Sequence, residues 1–403
     1  MTPLAARPRH RAWLEREMFA LLDFHRASAD GPGGYRMLGL DGRPLHGADE
    51  AFELFQSTRL VHCFSLATAL GCPGFHDAVD QGMRFLWNGH RDARNGGYVW
   101  SATTEGPVVA DKLAYGHCHV LLAAASAKRI GHPDADRLLA DVATVIEERF
   151  WEASPGAMRE EFSADWSQEM PYRGANANMH TLEGLMAAYD ATGERIFLDK
   201  ALSIAALLAD DKARACGWRM PEHFTPGWEI DRTYSGNPMF RPAGTTPGHA
   251  LEWARLLIQL RHLEGKASAW MAEAARGLFA NAVRDGWDHE RGGFFYTLDW
   301  DDRPLQRLRL WWPNTEGIGA AAVLWHLDGD PLYAEWYERI WDFVAARFID
   351  HDNGGWFAEI DEAGRPSAEI FAGKPDLYHS FQACVNSLLP AGAFLSGDLS
   401  KGG

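Results

Sequence analysis

Two stretches of the chain carry one short pattern, His180-Thr-Leu-Glu183 and His249-Ala-Leu-Glu252, an imidazole followed three residues later by a carboxylate. On a helix such residues lie about 60° apart around the axis and share a face. A free imidazole titrates at about pH 6.5, so it can take or give a proton at neutral pH, with a neighbouring carboxylate to orient it. The same donor set also suits a metal ion. A single His in the first turn of a helix is commonly a hydrogen-bonded structural group, so the weight falls on the repetition. In the first pair, Leu182, Leu185, Met186 and Tyr189 form an apolar stripe, and His180 and Glu183 project from the other side.

Other polar residues keep step with these pairs. Arg59, the group Tyr115, His117 and His119, then His180, His249, Glu316 and His379 each open an apolar segment, at intervals of about sixty to seventy residues. A Gly step recurs at nearly the same interval: Gly33-Gly34-Tyr35, Gly96-Gly97-Tyr98, Pro155-Gly156, Cys216-Gly217-Trp218, Gly292-Gly293-Phe294 and Gly354-Gly355-Trp356. Charged turns at 41–44, 301–304 and 363–366, between short apolar runs, read as small β-hairpins. Before the Gly steps the chain reads as amphipathic helix, at 11–27, 134–150, 194–210, 267–287 and 331–348. After them it reads as helix apolar on every side, at 61–70, 120–127, 182–189, 251–260, 318–327 and 381–389.

Helices with one wet face lie outside, and helices without one lie inside. Six outer–inner pairs closed in a ring make an all-α, single-domain (α/α)6 barrel, with short β-hairpins in the loops at one end. An open solenoid of helix pairs is the alternative, but it would expose the apolar inner helices on its concave face. In a closed ring the starts of the inner helices meet at one end of the lumen. The shared register therefore gathers the polar residues into one concave pocket, the candidate active site.

A chain of 403 residues with 46% apolar content can bury a large core. Its net charge of −16, without a Lys/Arg-rich run, disfavours nucleic acid and anionic membranes as partners. The five cysteines are scattered without a CxxC spacing, which indicates neither a disulfide framework nor a zinc site and points to a reducing, cytoplasmic setting. Residues 1–15 lack an apolar signal core, and no stretch is long enough to span a membrane. One catalytic domain over 1–403 is expected, with a short flexible tail from about 396; monomer and homo-oligomer both remain open. Among the 17 Trp, Trp311 and Trp312 stand beside Glu316 and suit a sugar floor.

At Ser57-Thr-Arg59, Asn176-Ala-Asn178-Met-His180-Thr-Leu-Glu183, Thr246-Pro-Gly-His249-Ala-Leu-Glu252-Trp253, Trp311-Trp312-Pro-Asn-Thr-Glu316 and Asp376-Leu-Tyr-His379, the chain resembles the N-acylglucosamine 2-epimerase superfamily. Within it, the likeness is to the aldose–ketose isomerase branch of mannose and sulfoquinovose isomerases. The resemblance implies the same barrel and a metal-independent, cofactor-free proton transfer beside a sugar carbonyl. It makes His249 and His379 the acid/base pair, and Arg59, Tyr115, Asn176, His180, Glu252, Trp312 and Glu316 the groups that hold a small open-chain monosaccharide. Arg241, in the loop before His249, is a weaker candidate.

The activity implied is interconversion of D-mannose, or a close relative such as D-lyxose, with D-fructose through a cis-enediol. In the preferred assignment His379 would shuttle the proton between C2 and C1 while His249 would assist ring opening and protonate oxygen, with the two roles exchanged as the alternative, and Glu252 would orient His249. Return of the proton to the other face of C2 would instead make a 2-epimerase, of mannose/glucose, N-acylglucosamine or cellobiose type. A glycoside hydrolase would need two lumen carboxylates, for which Glu252 and Glu316 qualify, but it has little use for three lumen histidines. A sugar-binding module would need the Trp floor without matched bases. A phosphorylated or sulfonated sugar would call for a further basic group, with Arg173, Arg241 and Arg309 as candidates.

Overall fold

The computed structural model describes residues 3–45 and 51–389; the tail expected from about 396 lies outside them. In chain order the helices are α1 (Pro8–Arg26), α2 (Leu54–Ala69), α3 (His76–Phe85), α4 (Ala114–Arg129), α5 (Ala135–Val145), α6 (Ala175–Thr192), α7 (Arg195–Ala205), α8 (Pro247–Leu263), α9 (Trp270–Asn281), α10 (Trp311–Asp328), α11 (Pro331–Arg347) and α12 (Tyr378–Leu388). The even-numbered helices form an inner ring, and each of α2 to α10 packs on the outer helix that follows it. The last inner helix, α12, packs on α1, so the first and last elements close an (α/α)6 barrel.

Burial separates the two rings as the hydropathy pattern demands. Every residue of α8 from Pro247 to Leu260 and of α10 from Trp311 to Leu324 is buried. Outer α3 buries only the face made by Ala78, Val79, Gly82, Met83 and Phe85. Helix α3 is the one outer helix absent from the segments read in the sequence. A π-helical turn over Leu86–His90 continues it, as π-helical turns continue α5, α7 and α9. Helix α2 also starts earlier than its apolar run, because Gln56, Ser57, Thr58 and Arg59 are helical, polar and buried.

The strands are short and sit in the loops that lead into the inner helices, where they stitch each repeat to the next. Antiparallel pairs join Phe52–Glu53 to Ser101–Thr103, Lys112–Leu113 to Glu161–Phe162, Arg173–Gly174 to His223–Phe224 and Arg309–Leu310 to Glu359–Ile360. A bridge between Thr245 and Leu298 serves the same junction before α8. At the seam between last and first repeats, Lys374 N–H donates to Leu38 O at 2.8 Å. Lys374 Nζ, 1% exposed, donates to Leu40 O at 2.9 Å, to Asp350 at 2.7 Å and to Gly354 O.

Acid–base pairs brace the Gly loops against these strands. Asp92 Oδ1 accepts from the N–H groups of Arg94 and Asn95 at 2.9 and 3.0 Å, and its Oδ2 from Lys112 Nζ at 2.9 Å. Asp350 repeats the arrangement with Asp352, Asn353 and Lys374, and Asp288 repeats it with Glu290, Arg291 and Arg309. Burial alone would raise the Asp92 and Asp350 carboxyls, but the lysines and loop N–H groups outweigh it and hold each at about 2.

Candidate active site

The polar register of the inner helices resolves into two tiers, one helical turn apart. Arg59, His119, His180, Glu252 and Glu316 are each the sixth residue of their helix. Tyr115, Asn176, Trp312 and His379 are second and His249 is third, so the two outermost imidazoles stand a turn nearer the mouth. A single rise at helix starts, as the sequence suggested, is thus two levels of one cavity. About 420 Å³ of free space there is lined by Arg59, Tyr115, Asn176, His180, His249, Glu252, Trp312 and His379, with Phe55, Met239, Phe240, Trp311 and Phe371 around them. Of the expected site residues only Glu316 does not line it, standing behind His379.

Each outer-tier histidine is seated on a buried carboxylate. His249 Nδ1 lies 3.0 and 2.9 Å from the two oxygens of Glu222, which also accepts from Thr246 N–H at 3.2 Å. His379 Nδ1 lies 3.0 Å from Glu316 Oε1. A carboxylate only accepts, so Nδ1 carries the proton in both rings and Nε2 is left to react. Glu252 does not touch the His249 ring; the orienting group is Glu222, which stands just before the strand His223–Phe224. No periodic pattern marks Glu222, yet Glu160 occupies the same place in the preceding loop, since Ala114 N–H and Ala175 N–H donate to Glu160 O and Glu222 O.

The Trp312 indole lies between the two imidazoles. Its ring centroid is 5.0 Å from that of His249 and 5.9 Å from that of His379, with interplanar angles of 33° and 35°. Room for it depends on Gly248, where a Cβ would stand 2.4 Å from the indole.

The inner tier is a charge network. Arg59 donates to Tyr115 Oη at 2.7 Å and to His119 Nε2 at 3.2 Å, and faces Asp376 at 3.6 Å. His119 can accept because its Nδ1 donates to Tyr115 O at 2.7 Å; burial, and then Arg59, hold it well below its usual range and hence neutral. His180 is neutral for the same reasons, and its Nδ1 has no hydrogen-bond partner. Asn176 Nδ2 donates to Phe240 O at 3.1 Å.

At the base, Arg255 donates to Glu316 at 2.8 Å and lies 3.5 Å from Glu252 and 3.9 Å from Glu183. Burial, and then Glu316, push the Glu252 carboxyl well above the usual carboxylate range. Burial also works to raise Glu316, but Arg255 and then His379 outweigh it and keep it ionised.

The alternatives meet this geometry unequally. His180, Glu183 and Glu252 bring donor atoms within 4.8 Å of one another, but the Arg255 guanidinium already supplies positive charge to that group. For the hydrolase pairing, Glu316 is committed to Arg255 and His379. Arg173 is paired with Glu152 at 2.8 Å, Arg241 with Glu161 at 2.7 Å and Arg309 with Asp288, and none of the three lines the cavity. Among the described residues Arg59 is the sole Arg or Lys that does.

A family profile described as N-acylglucosamine 2-epimerase matches residues 33–383. A D-mannose isomerase of Pseudomonas cannabina pv. alisalensis is 44% identical over 391 residues, 95% of this chain and 94% of the relative. One from Thermobifida fusca is 41% identical over 409 residues and covers both chains completely, at 100%. A crystal structure of D-mannose isomerase superposes with a TM-score of 0.87 at 31% identity, over 94% of this chain and 97% of that one. Profile, full-length relatives and barrel agree, and the chain belongs to the N-acylglucosamine 2-epimerase family.

Proposed function

We propose that this chain is an aldose–ketose isomerase that interconverts D-mannose and D-fructose as one catalytic domain. The observation that carries the reading is the pair of carboxylate-seated imidazoles flanking Trp312 over one cavity. Full-length similarity to D-mannose isomerases supports the substrate. The pairing of Arg173, Arg241 and Arg309 with carboxylates supports a neutral sugar over a sulfonated or phosphorylated one. Five free thiols support a reducing, cytoplasmic setting.

In this reading Trp312 carries one face of the sugar, while Asn176, His180 and Glu252 bond its hydroxyls. His249 takes the proton of the anomeric hydroxyl and delivers it to the ring oxygen as the ring opens. His379 Nε2 then takes the C2 proton, which leaves a cis-enediolate. The Arg59 guanidinium offsets the charge growing on the oxygens, the largest single term in such a step. His249 moves a proton from O2 to O1, and return of the same proton from His379 to C1 gives the ketose. Glu222 and Glu316 keep each imidazole in the tautomer and orientation this requires.

The test is proton NMR of the purified, EDTA-treated protein with D-mannose in D2O. Fructose is expected, with deuterium entering at C1 or C2, and His249→Ala and His379→Ala each reduce its rate by about 10²- to 10⁴-fold. Glucose formed as early as fructose would make the chain a 2-epimerase. Inertness toward mannose, lyxose, glucose and sulfoquinovose would overturn the reading.

A further inference from the structure

Glu359 is fully buried, in the strand that pairs with Arg309–Leu310 just before α10. A buried carboxylate without partners is costly, and its acceptor sites must be filled. Here they are filled by one loop. Ser367 Oγ donates to Oε1 at 2.7 Å, and the backbone N–H of Glu369 donates to the same oxygen. The N–H groups of Ile370 and Phe371 donate to Oε2 at 2.9 and 3.1 Å. Three successive N–H groups turned toward one point make an anion nest, and this nest holds a carboxylate of its own chain.

The loop so gathered delivers Phe371 to the cavity wall. Phe371 meets Trp311 edge-on, with centroids 5.0 Å apart at 87°. Trp311 Nε1 donates at 3.0 Å to Asp376, whose carboxylate also accepts from His379 N–H at 2.8 Å and faces Arg59 at 3.6 Å. A displaced Phe371 therefore loosens both the wall and the contact that steadies Trp311.

We propose that Glu359 is a positioning residue: its carboxylate, by collecting the N–H groups of residues 369–371, sets Phe371 against Trp311 and so sets the affinity of the cavity for sugar. The effect on affinity rests on the isomerase reading; the clasp does not. Glutamine is nearly isosteric but brings an NH2 group against a row of N–H donors, so it cannot fill the nest. Asp keeps the charge on a shorter arm and restores part of the function.

The experiment has two arms on the full chain. In hydrogen exchange read by mass spectrometry, Glu359→Gln speeds exchange of peptides spanning 367–372 by about tenfold or more, with peptides from α4 and α8 unchanged. In mannose kinetics, Glu359→Gln and Phe371→Ala each raise KM by about tenfold with kcat within about twofold, Glu359→Asp falls between, and the double variant is no worse than Phe371→Ala alone. Ser367→Ala, which removes one donor of four, is the milder variant should Glu359→Gln not fold, with a KM rise of about threefold.

Unchanged exchange at 367–372 overturns the clasp. Effects of Glu359→Gln and Phe371→Ala that multiply, or a fall in kcat without a rise in KM, overturn the positioning role. If the wild type acts on no sugar, the isomerase reading falls by itself, and exchange still decides the clasp.

Discussion

Two carboxylates that never face the cavity decide what its histidines can do. Glu222 accepts from the His249 ring and from Thr246 N–H, whereas Glu316 divides its charge between His379 and Arg255. Glu222→Gln leaves the size of the side chain but removes the charge that fixes the tautomer. It is expected to lower kcat on mannose by about 10²-fold with little change in KM; a change confined to KM would mean Glu222 shapes binding instead. The histidines themselves were legible in the sequence, because imidazoles at helix starts in a repeating register have few bland explanations. Glu222 was not, since it reaches His249 across 27 residues of irregular loop. Its match in register with Glu160 is visible only once the loops are aligned as repeats. Glu252 was legible as a lumen residue, but its neighbours are Arg255 and His180, one turn below the imidazole it was expected to orient.

The inner helices deliver these side chains by a fixed geometry: α2, α4, α6 and α10 begin where a cross-repeat strand pair pins the chain, α8 at a single bridge and α12 just after the Lys374 seam, so equivalent residues arrive at nearly equal depth. Helix α8 adds a local condition, since Gly248 is the floor on which the Trp312 indole rests. Gly248→Ala costs the helix nothing in propensity, yet its methyl group collides with the indole and must push it toward the imidazoles. A loss of about 10- to 100-fold in kcat/KM is expected, with near-UV circular dichroism reporting the shifted tryptophan and a melting temperature lowered by the overpacking. An unchanged kcat/KM would show that the indole has room to move. Inner helices were readable because they lack a wet face, while their polar first turns hid their true starts. Helix α3 is as amphipathic as its outer neighbours and ends in the same kind of π-helical turn as α5, α7 and α9, so nothing in the structure sets it apart from the outer helices read in the sequence.

For the whole molecule, the cost of so many buried imidazoles appears in acid. Burial holds His10, His25, His62 and His90 at about 4 rather than 6.5. The unfolded chain takes up protons below pH 6.5 that the folded chain refuses until pH 4. Stability is therefore complete above pH 6.5 and falls as pH drops toward 4, with uptake of several protons on unfolding. Urea titrations at pH 7, 6 and 5 are expected to show midpoints that fall at each step; equal midpoints at pH 7 and 5 would contradict the burial of these rings.

The Lys374 seam gives this barrel a property that a row of the same helix pairs would lack. A linear array unravels from its termini, where the outermost unit is held on one side only. Here the first and last units hold one another through Leu38, Leu40 and Lys374, as every other neighbour pair does through its strands. No unit is outermost, so none can melt before the rest, and the wild type should lose heat-protected amides in a single step. Lys374→Met removes the three Nζ bonds while the Lys374 N–H to Leu38 O bond and the packing of α1 on α12 remain, so it weakens the seam, and melting that begins at α1 and α12 would be the signature.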